Sequence, residues 1–305
     1  MRRGPAAVLV GLAVVLSAGC TPSHAPSAGP AVVSSVTPGP LPSSTPSPTA
    51  VAPQPARVVP KATSTYRSLD EIYLVYNKVY SAGQVPAVPC KLPQIPLQTQ
   101  KEVQQYSNAI LDCLDRAWKP VVGRADVVYS STAVYAVDQG WKTGCGIFGK
   151  DDEGFYCAGA GIYLDWDEFT EEGPDDRAWA GVYLQFTMAH EFGHHVQQLT
   201  GISSYFDDRW SEASGAARLE QMRRHELQAS CFASAFLGAN QQTLDLYGER
   251  LQAYRDSAYS GDDDAPATTP DHGSRRSSTA WAKAAFKAKS PSACNTWAVP
   301  AKRVT

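Results

Sequence analysis

The chain contains His190-Glu191-Phe192-Gly193-His194, an H-E-x-x-H pattern. On a helix, residues four apart share one face, so both imidazoles can point at one metal ion. Glu191 stands beside them, where a carboxylate can take a proton from a water that the metal activates. These are the parts of a zinc hydrolase. Three fixed residues arise by chance in on the order of one in a hundred chains of this length, so the flanking sequence must decide. Residues 178–199 hold no Pro, and Val182, Phe186, Ala189, Gly193 and Val196 recur at helical spacing. Gly201 follows where a C-capping glycine belongs. The motif therefore falls on a buried helix, the context it requires.

A zinc hydrolase needs three protein ligands and one open position. No third His follows at metzincin spacing, because residues 197–201 hold none. A Glu from a later helix is the alternative. Glu226, within Arg224-His225-Glu226-Leu227-Gln228-Ala229-Ser230-Cys231-Phe232-Ala233, is the choice, with His225, Glu212 and Glu220 as competitors. His225 is turned about 100° from Glu226 around a helix, and reads as a solvated basic face with Arg223 and Arg224. His195, one residue past the second ligand, faces elsewhere and reads as packing. The oxyanion of acyl transfer needs a donor besides the metal. His272, Tyr163 and Tyr205 are candidates. Asp262-Asp263-Asp264 reads as a solvated acidic turn rather than a calcium site.

The elements that must position these groups can be read in outline. Ser68-Leu69-Asp70-Glu71 and Thr99-Gln100-Lys101-Glu102 have capping-box form. The first predicts a helix to about Tyr80. The second predicts one that ends before Pro120, with Val103, Tyr106, Ile110, Leu114 and Trp118 on one face. Residues 127–137 read as a strand, and 154–157 with 162–165 as strands or hairpin arms. Residues 165–176 read as an acidic loop ahead of the motif helix. Helices are expected over 214–237, 243–254 and 277–289, with a polar loop at 260–275. The fold class is α+β, mostly helical, with a small β-sheet preceding the active-site helix. An edge strand beside a zinc site can pair with an extended peptide and lay its carbonyl over the metal.

The chain has 305 residues, 43% of them hydrophobic, and a formal net charge of -3, so no nucleic-acid footprint is expected. Residues 1–19 read as a lipoprotein signal peptide: Arg2 and Arg3, an apolar run over 6–16, then Leu16-Ser17-Ala18-Gly19-Cys20. Cys20 is the expected lipidated residue. Residues 20–62 are rich in Pro, Ser, Thr and Ala, too polar to bury a core, and read as a disordered tether. Residues 63–305 then form the zinc domain. The expected location is exported, lipid-anchored to the outer face of the bacterial cytoplasmic membrane. With Cys20 assigned, six of seven cysteines remain, an even number that suits an oxidising compartment. Proximity favours Cys90–Cys113 and Cys145–Cys157, which leaves Cys231–Cys294.

Residues 187–197 (Thr-Met-Ala-His-Glu-Phe-Gly-His-His-Val-Gln), followed by Glu226-Leu227-Gln228-Ala229-Ser230-Cys231-Phe232-Ala233, resemble the neutral zinc metallopeptidase family of bacteria. So do Phe155-Tyr156-Cys157 ahead of Tyr163-Leu164-Asp165, and His272-Gly273-Ser274 ahead of Cys294. The likeness runs from about residue 90 onward. It implies a zincin-like, gluzincin-type domain with one zinc ion on His190, His194 and Glu226. It also implies that Cys231 and Cys294 are matching positions. In one place the chain departs from the family, which usually has Asp where Ser230 stands. By analogy with gluzincins, that group would accept a hydrogen bond from a ligating His, and losing such a partner costs about 10–100-fold in affinity or activity. The expected function is hydrolysis of peptide or protein substrates by a membrane-anchored zinc peptidase with Glu191 as general base. The alternatives are a lipid-anchored binding or scaffold protein with a structural or vestigial zinc, and an amidase of cell-wall peptides.

Overall fold

Two long helices, α2 (Arg177–Leu199) and α4 (Gly215–Ala239), pack together at the centre of the domain. The computed structural model describes residues 67–150, 152–171, 173, 176–261 and 270–305, all within one unit, Ala62–Thr305. The expected signal segment, Cys20, the expected tether at 20–62 and Asp262-Asp263-Asp264 lie outside the described residues. Four more helices surround the central pair: α1 (Gln100–Arg124), α3 (Ile202–Glu212), α5 (Gly248–Ala258) and α6 (Arg275–Ala288). The strands are β1 (Val134–Val137), β2 (Lys142–Thr143), β3 (Gly146–Ile147), β4 (Gly154–Cys157) and β5 (Gly161–Asp165). β1, β5 and β4 form one sheet in that order; β2 and β3 form a separate hairpin. The fold is α+β and mostly helical, with its small sheet ahead of α2 in the chain. No helix among the described residues is long and apolar enough to cross a membrane.

In the sheet, β1 runs parallel to β5 (Val134 opposite Ile162), and β4 antiparallel to it (Phe155 opposite Tyr163). Side chains alternate between the two faces of a strand. Tyr156 and Leu164 face α2. Tyr135, Tyr163 and Phe155 stack on the opposite face, with Phe148 beyond Phe155. The main core lies between α1, α2 and α4, where Trp118, Phe192, Phe232 and Phe236 are fully buried. Trp118 meets Phe232 edge-on, with ring centroids 5.4 Å apart, a favoured aromatic geometry.

Local chemistry explains where the elements depart from expectation. The Ser68–Glu71 capping box forms, each side chain accepting from the other's backbone N–H at 3.4 Å. The helix after it is broken, however, into a π turn (Glu71–Val75) and a 3₁₀ turn (Lys78–Ser81). Asn77 makes the break. Its Oδ1 accepts from Val79 N–H, and its Nδ2 donates to the Tyr73 and Thr200 carbonyls at 2.9 Å each. α1 does not stop before Pro120 but continues to Arg124. Proline forfeits one helical hydrogen bond, while Val121 and Val122 bury completely in the next turn. Of residues 127–137 only Val134–Val137 pair as a strand. The helix expected at 243 begins at Gly248, since Asp245 and Gly248 take positive φ (51° each) in the turn before it. α3 was not expected. Gly201, at φ 78°, ends α2 and lets the chain turn at once into α3.

Two disulfides form, Cys145–Cys157 and Cys231–Cys294. The first ties the β2–β3 hairpin to β4, and the second ties α4 to the C-terminal segment. The expected Cys90–Cys113 pair is different: both are buried free thiols, within hydrogen-bonding reach of each other. Arg116 Nη2 lies 3.6 Å from Cys113 Sγ and donates to it, which lowers the Cys113 thiol.

Candidate metal centre

His190 and His194 lie one turn apart on the face of α2 that meets α4. Their Nε2 atoms are 3.1 Å apart. Glu226 faces them from α4, with Oε2 3.3 Å from His190 Nε2 and 3.0 Å from His194 Nε2. Four-coordinate zinc with bonds near 2.0–2.1 Å places neighbouring donor atoms roughly 3.3 Å apart. Three donors at 3.0–3.3 Å therefore fit one zinc ion, and the two nitrogens and one oxygen suit its chemistry. Their side chains keep 11%, 13% and 12% exposure, enough to open the fourth position to solvent. Glu191 Oε1 is 4.0 Å from His190 Nε2, close to the three donors but not one of them.

Close helix packing makes this convergence possible. A Cβ on Gly193 would lie 2.8 Å from the Ala229 carbonyl oxygen and 2.9 Å from its Cα. With no side chain there, the backbones of α2 and α4 touch between the two histidines and their carboxylate.

Each candidate ligand is held by a partner. Ser230 Oγ lies 2.9 Å from His190 Nδ1, one turn after Glu226 on α4. As acceptor it fixes the tautomer that leaves Nε2 free for metal. His194 Nδ1 donates to Gln197 Oε1 at 2.8 Å. Gln197 Nε2 in turn donates to the His225 carbonyl and Gln228 Oε1. Sequence reasoning passed over Gln197; its signal was its place one turn beyond His194, on the same face of the motif helix. Burial alone would lower the His194 imidazole and raise the Glu226 carboxyl. Their attraction and hydrogen bond reverse both, lifting His194 to about 9 and holding Glu226 well below 4.5.

The other expected residues divide. His272 reaches the site: its Nε2 is 3.5 Å from Glu226 Oε2, and its Nδ1 is 2.7 Å from Asp271 Oδ1. Tyr163 does not reach it, because its ring sits in the aromatic stack on the face of the sheet turned from α2. Tyr205 stacks on Tyr73 instead. His195 binds the Ser130 carbonyl and the Tyr156 hydroxyl, and burial lowers its imidazole. His225 and Arg224 are not a solvated face. Both are buried; Arg224 pairs with Glu220 and binds the Val299 and Thr296 carbonyls. His225 lies face to face with His194, centroids 4.7 Å apart. The ring packs on a face of His194, and one of its nitrogens lies within 4.8 Å of the candidate ligand atoms of His194 and Glu226.

Comparison with known proteins gives a family. The model of the family described as "Putative neutral zinc metallopeptidase" matches residues 64–297. The chain is 28% identical over 209 residues to "Uncharacterized protein YpfJ" of Escherichia coli (strain K12), covering 65% of this chain and 72% of that one. It is 30% identical over 128 residues to "Uncharacterized protein Rv2575" of Mycobacterium tuberculosis (strain ATCC 25618 / H37Rv), covering 40% of each. No solved structure matches. The family implies zinc, and the candidate groups that could hold it are His190, Glu226 and His272, and His194, His225 and Glu226. This chain belongs to the neutral zinc metallopeptidase family.

Proposed function

We propose that the chain hydrolyses peptide bonds with one zinc ion on His190, His194 and Glu226 and with Glu191 as general base. The observation that carries this reading is the triangle of donors at 3.0–3.3 Å with the Glu191 carboxylate close to it. Zinc held there supplies a Lewis acid that brings the pKa of water to about 7 and polarises a carbonyl. Glu191 takes the proton from the attacking water and passes it to the leaving amine. His272, held at Nδ1 by Asp271, stands beside the site as a candidate partner for the developing oxyanion. Among the described residues β4 pairs only with β5, which leaves its other edge to align an extended peptide. Residues 1–19, Cys20 and the 20–62 tether support an exported domain, lipid-anchored at the outer face of the cytoplasmic membrane.

One observation favours a second reading. His272 Nε2 is near enough to Glu226 Oε2 to complete a fourfold set, and a closed set is structural rather than catalytic. Two variants separate the readings. In the peptidase, Glu191→Gln keeps zinc and loses about 10²–10⁴-fold in hydrolysis of an unfolded protein substrate, while His272→Ala keeps its zinc affinity. If wild type is as inert as Glu191→Gln, and His272→Ala sheds zinc, the site is structural.

A further inference from the structure

The buried His225 has no part in the chemistry described so far, yet it touches two of the three proposed ligands. It immediately precedes Glu226 on α4. Its ring is held between Phe206 of α3, at 4.1 Å and 9° from parallel, and His194 of α2, at 4.7 Å and 28°. Its Nδ1 lies 3.4 Å from Glu226 Oε1, and its Nε2 lies 3.4 Å from Ser203 Oγ. A neutral imidazole satisfies both contacts in one tautomer: Nδ1–H donates to the carboxylate, and Nε2 accepts from the serine hydroxyl.

The two carboxylate oxygens of Glu226 therefore have different neighbours. Oε2 faces His190 and His194, whereas Oε1 faces His225. A carboxylate free to rotate can present either oxygen, or both, to a metal. One whose far oxygen is held presents a single oxygen in a fixed direction. The same ring covers one face of His194, whose edge is held by Gln197.

We propose that His225 is a positioning residue for the metal: it holds Oε1 of Glu226 so that Oε2 alone is presented, and it braces the plane of His194 against Phe206. The proposal rests on the His190-His194-Glu226 site, and its test keeps the two apart. Zinc affinity is measured by competition with a chromophoric chelator in wild type, Glu226→Ala, His225→Ala, His225→Phe and His225→Asn. His225→Phe keeps the stack but has no donor, and His225→Asn keeps an N–H near the Nδ1 position. Melting temperatures of the metal-free variants report folding independently of zinc.

The expected result is zinc binding weakened about 10–100-fold in His225→Ala. His225→Phe should stay clearly weakened despite a wild-type metal-free melting temperature, and His225→Asn should recover part of the loss. Cobalt(II) bound to His225→Phe should keep four-coordinate visible bands, shifted in position. Wild-type affinity in His225→Phe would overturn the proposal, leaving His225 as packing alone. Loss of the four-coordinate bands in that variant would also overturn it, by making His225 a ligand. If instead Glu226→Ala binds zinc like wild type, the three-ligand site itself fails and the proposal falls with it.

Discussion

His194 and His195 are neighbours in the chain, yet they belong to two regions built on different terms. His194 looks toward α4, where a carboxylate, an amide and a second imidazole surround it. His195 looks toward the sheet, where it finds a backbone carbonyl and a phenol. Both are largely buried, but their proton affinities part. The Glu226 charge lifts His194 to about 9, whereas His195 has no carboxylate to offset burial and is lowered. A rotation of about 100° around one helix therefore separates a proposed metal ligand from a packing residue. The α2–α4 contact is also the tighter of the two regions. Helix backbones meet there at Gly193, while the contact with the sheet passes through the hydroxyl of Tyr156.

If the α2–α4 region sets the geometry, adding volume at Gly193 should produce the largest effect. In Gly193→Val the new side chain meets backbone atoms of Ala229, which cannot rotate away. Overpacking of this kind costs about 1–3 kcal/mol or more. In a domain of this size that lowers the melting temperature by roughly 2–12 °C. The histidines move away from Glu226 as the helices part, so zinc affinity falls with stability. Differential scanning calorimetry and chelator competition measure the two losses. A variant that melts and binds zinc like wild type would show that the close approach does not set the ligand distances.

The sequence exposed the α2–α4 region well because its signals are local in the chain. His190, Glu191 and His194 occupy one helix, and helical spacing alone places the two imidazoles together. Glu226 was harder, since its pairing with α2 spans 32 or more residues, and ligand type and a family resemblance recommended it rather than any spacing. Ser230 could be anticipated as the partner of His190 only through resemblance to a family. Gln197 and His225 were misjudged or missed because their roles depend on what lies across the helix interface, and a single chain's periodicity does not show that. Tyr163 failed for the same reason: strand alternation puts it on one of two faces, and only the sheet's orientation against α2 decides which. Helix ends were the least legible. Asn77 and Asp245 stop or delay helices through side-chain and left-handed backbone geometry, while burial of Val121 and Val122 carries α1 past its proline.

The proton on His194 offers a sharper test. Without metal, Glu226 keeps that imidazole charged up to about pH 9. Zinc must displace the proton, since a ligating nitrogen must be neutral. The sign follows directly. Between pH 7 and 9 each zinc bound should release close to one proton from His194, and affinity should rise about tenfold per pH unit, levelling off above 9. Calorimetric titration in buffers of different ionisation enthalpy counts the proton. In Glu226→Gln the main raising charge is gone and only the Glu191 charge and the Gln197 hydrogen bond oppose burial, so the proton release at pH 7 should fall clearly below wild type. Equal proton release in both proteins would show that Glu226 does not control His194.

The smallest effect belongs to the sheet side. Tyr156→Phe removes the hydroxyl that donates to His195 Nδ1 at 3.0 Å. A buried hydrogen bond of this kind contributes about 0.5–1.5 kcal/mol, or a melting temperature lower by roughly 2–5 °C. His195 keeps its bond to the Ser130 carbonyl, so its ring has no reason to swing toward α4. Zinc affinity should therefore match wild type within about twofold, as expected when sites share no partner. The reason is geometric: Tyr156 acts on a histidine that faces away from the ligands, and the helix between them is rigid. A zinc loss in Tyr156→Phe as large as that of His225→Ala would mean that α2 passes strain from one face to the other, and that its two sides are one region.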